Sequence, residues 1–261
     1  MASVTSIIKK TRQPEGGYLP KSLFKEEQYE DEFPDLPKEV FNISPGLIGV
    51  ASDYLVRTIS LCDGEKGFRF SIMGAKLIGE EDKAREMAKS VWTKFMGGEG
   101  REAAKIACQL AGYDVCYRSS PRYYKPVEDI QPNEITVSEV VVFMCRTRKF
   151  LGGLMNEGTK YWMGMTFPGA YNKTVSAGDA DYIFGNTLID LKTSEQGLSI
   201  RDTLQLAMYY QLAEHMKKKT WELDKLCVFN ARLNRSYTLD LADVPDETFE
   251  RIAHEVMGYE D

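Results

Sequence analysis

Four charged side chains interrupt an otherwise apolar stretch, AGDADYIFGNTLIDLKTS, which runs from residue 177 to residue 194. They are Asp179, Asp181, Asp190 and Lys192. The dipeptide Gly185-Asn186 at its centre is typical of two-residue hairpin turns, which need positive φ. A turn there predicts strands that place Asp181 opposite Asp190 and Asp179 opposite Lys192. Asp181, Asp190 and Lys192 then share one face of the hairpin.

Facing carboxylates at Asp181 and Asp190 would repel each other in an ordinary sheet, because directly opposed side chains lie about 4.5 to 5.5 Å apart. A divalent cation offsets this repulsion, and Mg²⁺ takes carboxylate oxygens and water while leaving positions for a substrate phosphate. Lys192 would lie beside the metal, where it can hold or activate water and neutralise charge on a phosphate oxygen. The alternative is a solvated hairpin face with an ion pair between Asp179 and Lys192.

The helix predicted next along the chain has two polar residues, Gln205 and Tyr209, which share one face because they are four positions apart. They lie beside an apolar stripe of Leu204, Met208 and Leu212, from which they could reach toward the hairpin. The alternative is that the tyrosine only packs the helix onto a sheet.

These residues together resemble a known set of motifs. Gly178-x-x-Asp181, Asp190-x-Lys192 and Gln205-x-x-x-Tyr209 resemble the RecB-like branch of the PD-(D/E)xK nuclease superfamily, over roughly residues 161 to 230. The resemblance implies that Asp181 and Asp190 hold Mg²⁺ or Mn²⁺ and that Lys192 assists the attacking water. It further implies that Gln205 and Tyr209 support the site and contact nucleic acid.

Two features depart from this family. Many RecB-like nucleases have an upstream histidine as a further metal ligand, but no histidine precedes His215 here. Glu139, and after it Glu102 and Asp53, are the acids that could replace it. Relatives with an iron–sulfur cluster place four cysteines around the core, and the five cysteines here do not reproduce that spacing. Their odd number and scatter indicate reduced thiols.

Hydrophobic periodicity divides the chain into three regions. Residues 1–37, rich in charge, proline and glycine, predict an extended arm. Residues 38–135 predict a mainly helical region, with Ser44 as an N-cap, Pro45 at the first helical position and one short strand, YDVCY. Residues 136–261 predict a helix, three strands, a helix capped by Ser199, two strands and a final helix. The expected fold class is α/β (α+β), a restriction-endonuclease-like αβββαβ core with a helical N-terminal region.

Composition limits the classes of protein to consider. The chain has 261 residues, 43% apolar and 28% charged, which is typical of a soluble globular protein. Its longest apolar run, 140–145, is too short to cross a bilayer, and the N-terminus lacks the features of a signal peptide, so we expect no membrane and a cytoplasmic protein. The net charge of −6 argues against coating nucleic acid with positive charge but leaves room for a local basic groove.

One local cluster combines cations with tyrosines. The segment CYRSSPRYYKP supplies Arg118, Arg122 and Lys125 among three tyrosines, a mixture suited to phosphate contact and base stacking. These three cations are the predicted substrate-binding residues. Tyrosine-rich loops are also common packing elements, which is the alternative.

The sequence therefore predicts a Mg²⁺- or Mn²⁺-dependent nuclease that hydrolyses phosphodiester bonds of single- or double-stranded DNA. An exonuclease in repair, phage biology or defence is one form of this expectation. A noncatalytic adaptor that keeps the nuclease fold within a larger protein complex is the alternative from another class. RNA is an alternative substrate, because the motifs do not show how a 2′-hydroxyl would be read.

Overall fold

The computed structural model describes residues 2–33, 41–218 and 220–260. Its α-helices are α1 (Val4–Lys10), α2 (Pro45–Leu61), α3 (Gly64–Gly67), α4 (Arg69–Lys76), α5 (Glu81–Met96), α6 (Gly100–Leu110), α7 (Asp114–Arg118), α8 (Glu134–Gly153), α9 (Ile200–Glu214) and α10 (Asp246–Arg251). Its strands are β1 (Ala2–Ser3), β2 (Lys25–Gln28), β3 (Tyr161–Thr166), β4 (Val175–Ala177), β5 (Asp179–Phe184), β6 (Thr187–Lys192), β7 (Lys225–Asn230) and β8 (Arg235–Asp240). A search of these ranges for a helix with the length and hydrophobicity of a membrane span finds none.

The chain forms two compact units. The first combines Met1–Glu30 with Leu151–Asp261, and the second is Asp31–Phe150. The first unit contains the strands and the second is helical, so the fold class is mixed α and β, as predicted. The cysteines are unpaired, which agrees with the expectation of reduced thiols.

The boundaries of these units differ from the predicted regions. The first thirty residues are not an extended arm, because they contain α1 and β2, and β2 pairs antiparallel with β8. Burial explains the difference, since Val4, Ile7 and Ile8 of α1 lie in the core of the first unit. Helix α8, expected to open the nuclease core, lies for most of its length in the second unit. Residues 34–37 of the expected arm lie outside the described residues.

The second unit begins its helices as the sequence predicts. The Ser44 hydroxyl accepts a hydrogen bond from the backbone N–H of Leu47, and Pro45 occupies the first helical position of α2. A serine cap and a proline at this position satisfy or remove backbone donors that the helix cannot pair internally. Local sequence is therefore sufficient to define this helix start.

The predicted strand YDVCY is wrong, since these residues form a 3₁₀ turn and α7. Buried Asp114 accepts hydrogen bonds from the hydroxyls of Tyr54 and Ser71, both at 2.7 Å. A helix also lets Arg118, four residues further on, donate to the same carboxylate at 2.8 Å. These distant partners override the local strand preference, because a buried carboxylate is stable only when it is hydrogen-bonded or paired.

The first unit is built on a six-stranded mixed sheet in the order β2-β8-β7-β6-β5-β3. Strands β6 and β7 are parallel, and the other neighbours are antiparallel. Strands β1 and β4 form a separate parallel pair. Helix α9 connects β6 to β7, because parallel neighbours need a crossover that a tight turn cannot provide. From α8 to α10 the elements follow the predicted order with one difference, since four strands, β3 to β6, precede α9 where three were expected. The additional strand is β4, which pairs with β1 and not with the six-stranded sheet.

Candidate functional site

The central hairpin forms at the predicted turn. Strands β5 and β6 pair Phe184 with Thr187, Ile183 with Leu188 and Tyr182 with Ile189. Gly185 has φ of 58°, whereas Asn186 is not among the described residues with positive φ. Positive φ at the first central residue alone is the pattern of a type II′ turn. The turn fixes the register that brings the charged residues to the far end of the two strands.

The hairpin pairing ends before it reaches the acids. Among the described strand pairs, Asp181 and Asp190 are not paired across the sheet, which corrects the predicted register at this end. On its other edge, strand β6 stays paired with β7 as far as Lys192. The predicted pairing of Asp179 with Lys192 is likewise not among the described strand pairs, and Asp179 pairs with Thr166 of β3 on the other edge of β5.

The Asp181 side chain occupies the place where β5 and β6 separate. Its Oδ2 accepts a hydrogen bond at 2.8 Å from the backbone N–H of Leu191, on the strand that has just left the ladder. A carboxylate thus satisfies a backbone donor that would otherwise lack its sheet partner. Asp181 is fixed next to the strand segment that contains Asp190 and Lys192.

Lys192 links the hairpin to α9. Its Nζ lies 2.6 Å from Asp190 Oδ2 and 3.8 Å from Asp202 Oδ1. It also donates a hydrogen bond to Gln205 Oε1 at 2.8 Å. Asp190 is only 2% exposed, and its Oδ2 makes no hydrogen bond of favourable geometry with a described residue. The contact with Lys192 is therefore a short ion pair that involves a buried carboxylate.

The predicted polar pair of α9 extends this chain of contacts. Gln205 Nε2 donates to the Tyr209 hydroxyl at 3.0 Å, so the two residues share a helix face as the sequence indicated. The Tyr209 ring is buried and stacks on Phe167 with ring centroids 6.1 Å apart. The tyrosine therefore packs the helix onto the unit, as the alternative supposed, and also bonds to the glutamine that accepts from Lys192.

Asp202 is a residue of this cluster that the sequence motifs did not include. Its Oδ2 accepts hydrogen bonds from the Ser199 backbone N–H at 2.9 Å and from the Ser199 hydroxyl at 2.6 Å. Its other oxygen lies toward Lys192. The separation of Asp202 and Gln205 by three positions could have identified Asp202, because residues three apart lie on the same face of a helix.

Gly178, the first residue of the Gly-x-x-Asp motif, is required by packing. A Cβ at this position would lie 2.8 Å from Val4 Cγ2 and 3.3 Å from Leu212 Cδ1. Those atoms belong to α1 and α9, so the glycine lets the start of β5 lie close to both helices. The same position would lie 3.5 Å from Tyr209 Cε1. The glycine therefore sets the distance between the hairpin and the face of α9 that forms the cluster.

Burial and charge set the pKa values of the cluster in different directions. Burial raises the pKa of Asp190 to about 7, although the Lys192 charge partly opposes this shift. For Lys192, burial lowers the pKa, but the charges of Asp190 and Asp202 outweigh it, so the pKa is raised. Burial and the neighbouring acids hold the pKa of Tyr209 well above its ordinary value. At neutral pH the cluster therefore contains an ammonium, a neutral phenol and a carboxyl near its midpoint of titration.

Asp181 and Asp190 could hold a hard divalent cation only with water as the remaining ligands. A search of the described residues finds no group of three or more His, Cys, Asp or Glu side chains placed to hold a metal ion. Two carboxylates with several waters are nevertheless an ordinary donor set for Mg²⁺. The Asp190 Oδ2 lies 2.6 Å from the Lys192 ammonium, so a cation bound to this carboxylate would lie beside the lysine. A cation would also favour the ionised form that burial disfavours.

The acids considered as a third ligand belong to the other compact unit. Glu139 is buried on α8, Glu102 is exposed on α6, and Asp53 is buried on α2. Arg57 pairs with the Asp53 carboxylate and donates from Nε at 3.0 Å. Asp53 is thus engaged within its own unit.

The predicted substrate-binding cations also lie in the second unit, and they differ in their surroundings. Arg118 donates to Asp114 and, at 3.1 Å, to the Tyr54 hydroxyl, so it supports a buried network. Arg122 and Lys125 are exposed, and neither forms an ion pair with a residue that the structure describes. All three cations are exposed, but Arg118 is held by Asp114 and Tyr54, whereas Arg122 and Lys125 have no such ion-pair partner among the described residues.

A cleft of about 530 Å³ lies at the opposite end of the hairpin from the acids. Its lining includes Lys160, Trp162, Gly185 and Trp221, but none of the charged residues of the cluster. The two tryptophans contact edge to face, with ring centroids 6.0 Å apart. This cleft therefore belongs to the turn end of β5 and β6 and not to the candidate site.

Comparison of the chain with protein-family models, with curated proteins and with solved structures found no significant match in any of the three. The functional interpretation therefore depends on the geometry of the cluster around Lys192. It also depends on the resemblance of the motifs that form this cluster.

Proposed function

We propose that the protein is a metal-dependent nuclease that hydrolyses DNA phosphodiester bonds. The proposal rests on one observation, the ammonium group of Lys192 placed between Asp190 and Gln205 at 2.6 and 2.8 Å. Asp181 is fixed on the adjacent strand segment by its hydrogen bond to Leu191. Two acids that can hold a divalent cation and an amine that can neutralise phosphate charge are residue types suited to phosphodiester hydrolysis.

The order of elements supports the specific nuclease core. Within the first unit, strands β3, β5 and β6, helix α9 and strand β7 follow one another in the β-β-β-α-β order of that core, with the short strand β4 as an addition. Helix α8 precedes them in the sequence but lies mostly in the second unit. The two acids and the lysine lie on the second and third strands of this series, and Gln205 and Tyr209 lie on the helix that follows. This is the placement that the motif resemblance implies.

Each residue would have a distinct part in hydrolysis, in which a water oxygen bonds to phosphorus and the bond from phosphorus to a sugar oxygen breaks. Lys192 would donate hydrogen bonds that orient the water and neutralise charge on a nonbridging phosphate oxygen. Asp181 and Asp190 would hold Mg²⁺ or Mn²⁺, which when bound neutralises phosphate charge and lowers the pKa of water. Gln205 positions the lysine, and Tyr209 positions Gln205.

Cleavage of labelled single- and double-stranded DNA with Mg²⁺ or Mn²⁺ tests the proposal. We expect Asp190→Asn and Lys192→Ala each to lower the cleavage rate by about 100-fold or more, because each removes a charge that acts on the transition state. Asp243→Asn and Lys173→Ala make the same changes at exposed positions and should retain the wild-type rate. Equal rates in the wild type and in both cluster variants would assign the cleavage to a contaminant. A labelled RNA of the same sequence identifies the preferred sugar.

The Lys192–Asp190 ion pair favours one alternative, a noncatalytic adaptor that keeps the fold within a larger protein complex. The ammonium offsets part of the charge of the buried carboxylate without any metal, so the pair could serve a structural role alone. Calorimetric titration with Mn²⁺ separates the two functions. Binding that Asp190→Asn abolishes and Asp243→Asn retains supports the nuclease, whereas a wild type that binds no Mn²⁺ supports the adaptor.

A further inference from the structure

An exposed surface of the second unit combines tyrosine rings with cations. Tyr117 is 40% exposed and Tyr123 is 56% exposed, which are high values for large aromatic side chains. Arg122 and Lys125 are exposed in the same short segment. Neither of these two cations forms an ion pair with a residue that the structure describes. Two cations are thus available to a ligand beside the exposed tyrosines.

Both exposed rings are supported from one side. The Tyr117 ring stacks on Phe70 with centroids 5.4 Å apart and an interplanar angle of 27°. The Arg122 guanidinium lies 4.9 Å from the centroid of the Tyr123 ring. Rings that are already held in place lose little conformational entropy when a ligand stacks on them.

Tyr124, which lies between Tyr123 and Lys125 in the sequence, is a packing residue and contrasts with the two exposed tyrosines. Its ring stacks on buried Tyr113 with centroids 5.5 Å apart and an interplanar angle of 9°. Its hydroxyl donates to Glu80 at 3.3 Å. Packing therefore explains Tyr124, but it leaves the exposure of Tyr117 and Tyr123 unexplained.

We propose that Tyr117, Arg122, Tyr123 and Lys125, the Tyr117–Lys125 surface, bind single-stranded nucleic acid. Unpaired bases stack on the two rings, and the two cations contact phosphates. A duplex keeps its bases stacked inside and offers no base face to a tyrosine, so the surface prefers single strands. The proposal rests on the proposed function for the choice of nucleic acid as ligand, but binding here does not use the acids of the first unit.

Fluorescence anisotropy of a labelled oligonucleotide with the full chain in EDTA tests this surface without cleavage. The arms are a single-stranded DNA, the RNA of the same sequence and the DNA duplex. We expect both single strands to bind more tightly than the duplex, because stacking acts on the base and not on the sugar. Equal or tighter binding of the duplex would overturn the proposal.

Paired variants separate stacking from charge. Tyr123→Leu should weaken single-strand binding about tenfold, whereas Tyr123→Phe keeps the ring and should stay within about twofold. Arg122→Gln should reduce the slope of log affinity against log salt by about 0.7, the value of one phosphate contact on a single strand. Lys89→Gln removes the same charge at another exposed position of this unit and should leave the slope unchanged.

Two further outcomes are decisive. Wild-type affinity in both Tyr123→Leu and Tyr117→Leu would overturn the proposal, since both variants change exposed side chains. Cleavage assays on the same samples keep the two proposals apart. If the protein binds single strands through these tyrosines but cleaves no substrate, only the proposed nuclease function is refuted. If it cleaves DNA and the tyrosine substitutions do not change its affinity, only the proposed binding surface is refuted.

Discussion

Asp190 lies where an ionised carboxylate is unfavourable, and the residues around it compensate only in part. Its side chain is almost fully buried, and burial raises its pKa to about 7 despite the nearby Lys192. The acid is thus half protonated near neutral pH when no cation is bound. A group that changes charge at this pH makes the stability of the first unit sensitive to pH.

The first prediction concerns this sensitivity. The folded pKa of Asp190 lies above the unfolded value of about 3.9, so the folded state keeps a proton that the unfolded chain releases. The stability from this proton is present at low pH and is lost as pH rises toward about 7. Between pH 5 and pH 7 we expect the wild type to lose about 2 kcal/mol of unfolding free energy relative to Asp190→Asn.

Urea denaturation of both proteins in EDTA at several pH values measures this difference. Asp243→Asn is the control, because it removes a carboxylate from an exposed position. Curves for the wild type and Asp190→Asn that stay parallel from pH 5 to pH 7 would contradict the prediction. They would show that Asp190 has an ordinary pKa in the folded protein.

At the scale of elements, the features that local chemistry determines were predictable. The Gly185-Asn186 turn, both hairpin strands and the start of α9 follow from the φ preference of glycine and from a serine cap. The end of the β5–β6 pairing at Ile189 was not predictable, because no residue pattern in the two strands marks where their pairing stops. The contact of Asp202 with Lys192 was predictable in part, because Asp202 lies three positions before Gln205 on the same face of α9.

The second prediction concerns the cap of α9. Ser199 and Asp202 form a reciprocal capping box, and the same aspartate lies near Lys192. Ser199→Ala removes the side-chain acceptor for an N-terminal backbone donor and should cost about 1 kcal/mol of unfolding free energy. Ser199→Thr keeps the hydroxyl and should cost only a few tenths of a kcal/mol. Thermal or urea unfolding compares the two, and equal losses would show that the hydroxyl does not cap the helix.

At the scale of the whole molecule, the first unit is assembled from two distant parts of the chain. A composition rich in charge and proline predicted an arm, yet β2 completes one edge of the sheet and α1 adds to the core. Such long-range contacts leave little trace in a short sequence window, since the strand residues Lys25–Gln28 are all exposed and polar. The apolar spacing of Val4, Ile7 and Ile8 was the available signal, but seven residues of helix are too few to indicate a packed element with confidence.

The third prediction tests whether α1 belongs to the folded unit. Ile8 is 6% exposed, so Ile8→Ala should cost about 2 to 4 kcal/mol of unfolding free energy through lost burial and a cavity. Lys9→Ala changes the next residue, which is exposed, and should be nearly neutral. Chemical denaturation measures both. A neutral Ile8→Ala variant would restore the view of this segment as a loosely attached arm.

The discontinuous first unit also constrains how the protein folds on the ribosome. Helix α1 packs against α9, so Val4, Ile7 and Ile8 stay without their final neighbours until residue 214 has been made. At roughly 5 to 20 residues per second, this delay is about 10 to 40 s. The contiguous second unit emerges completely within that interval and can fold first. The apolar side chains of α1 therefore stay exposed during this interval, and a chaperone that shields such side chains would raise the yield of native protein.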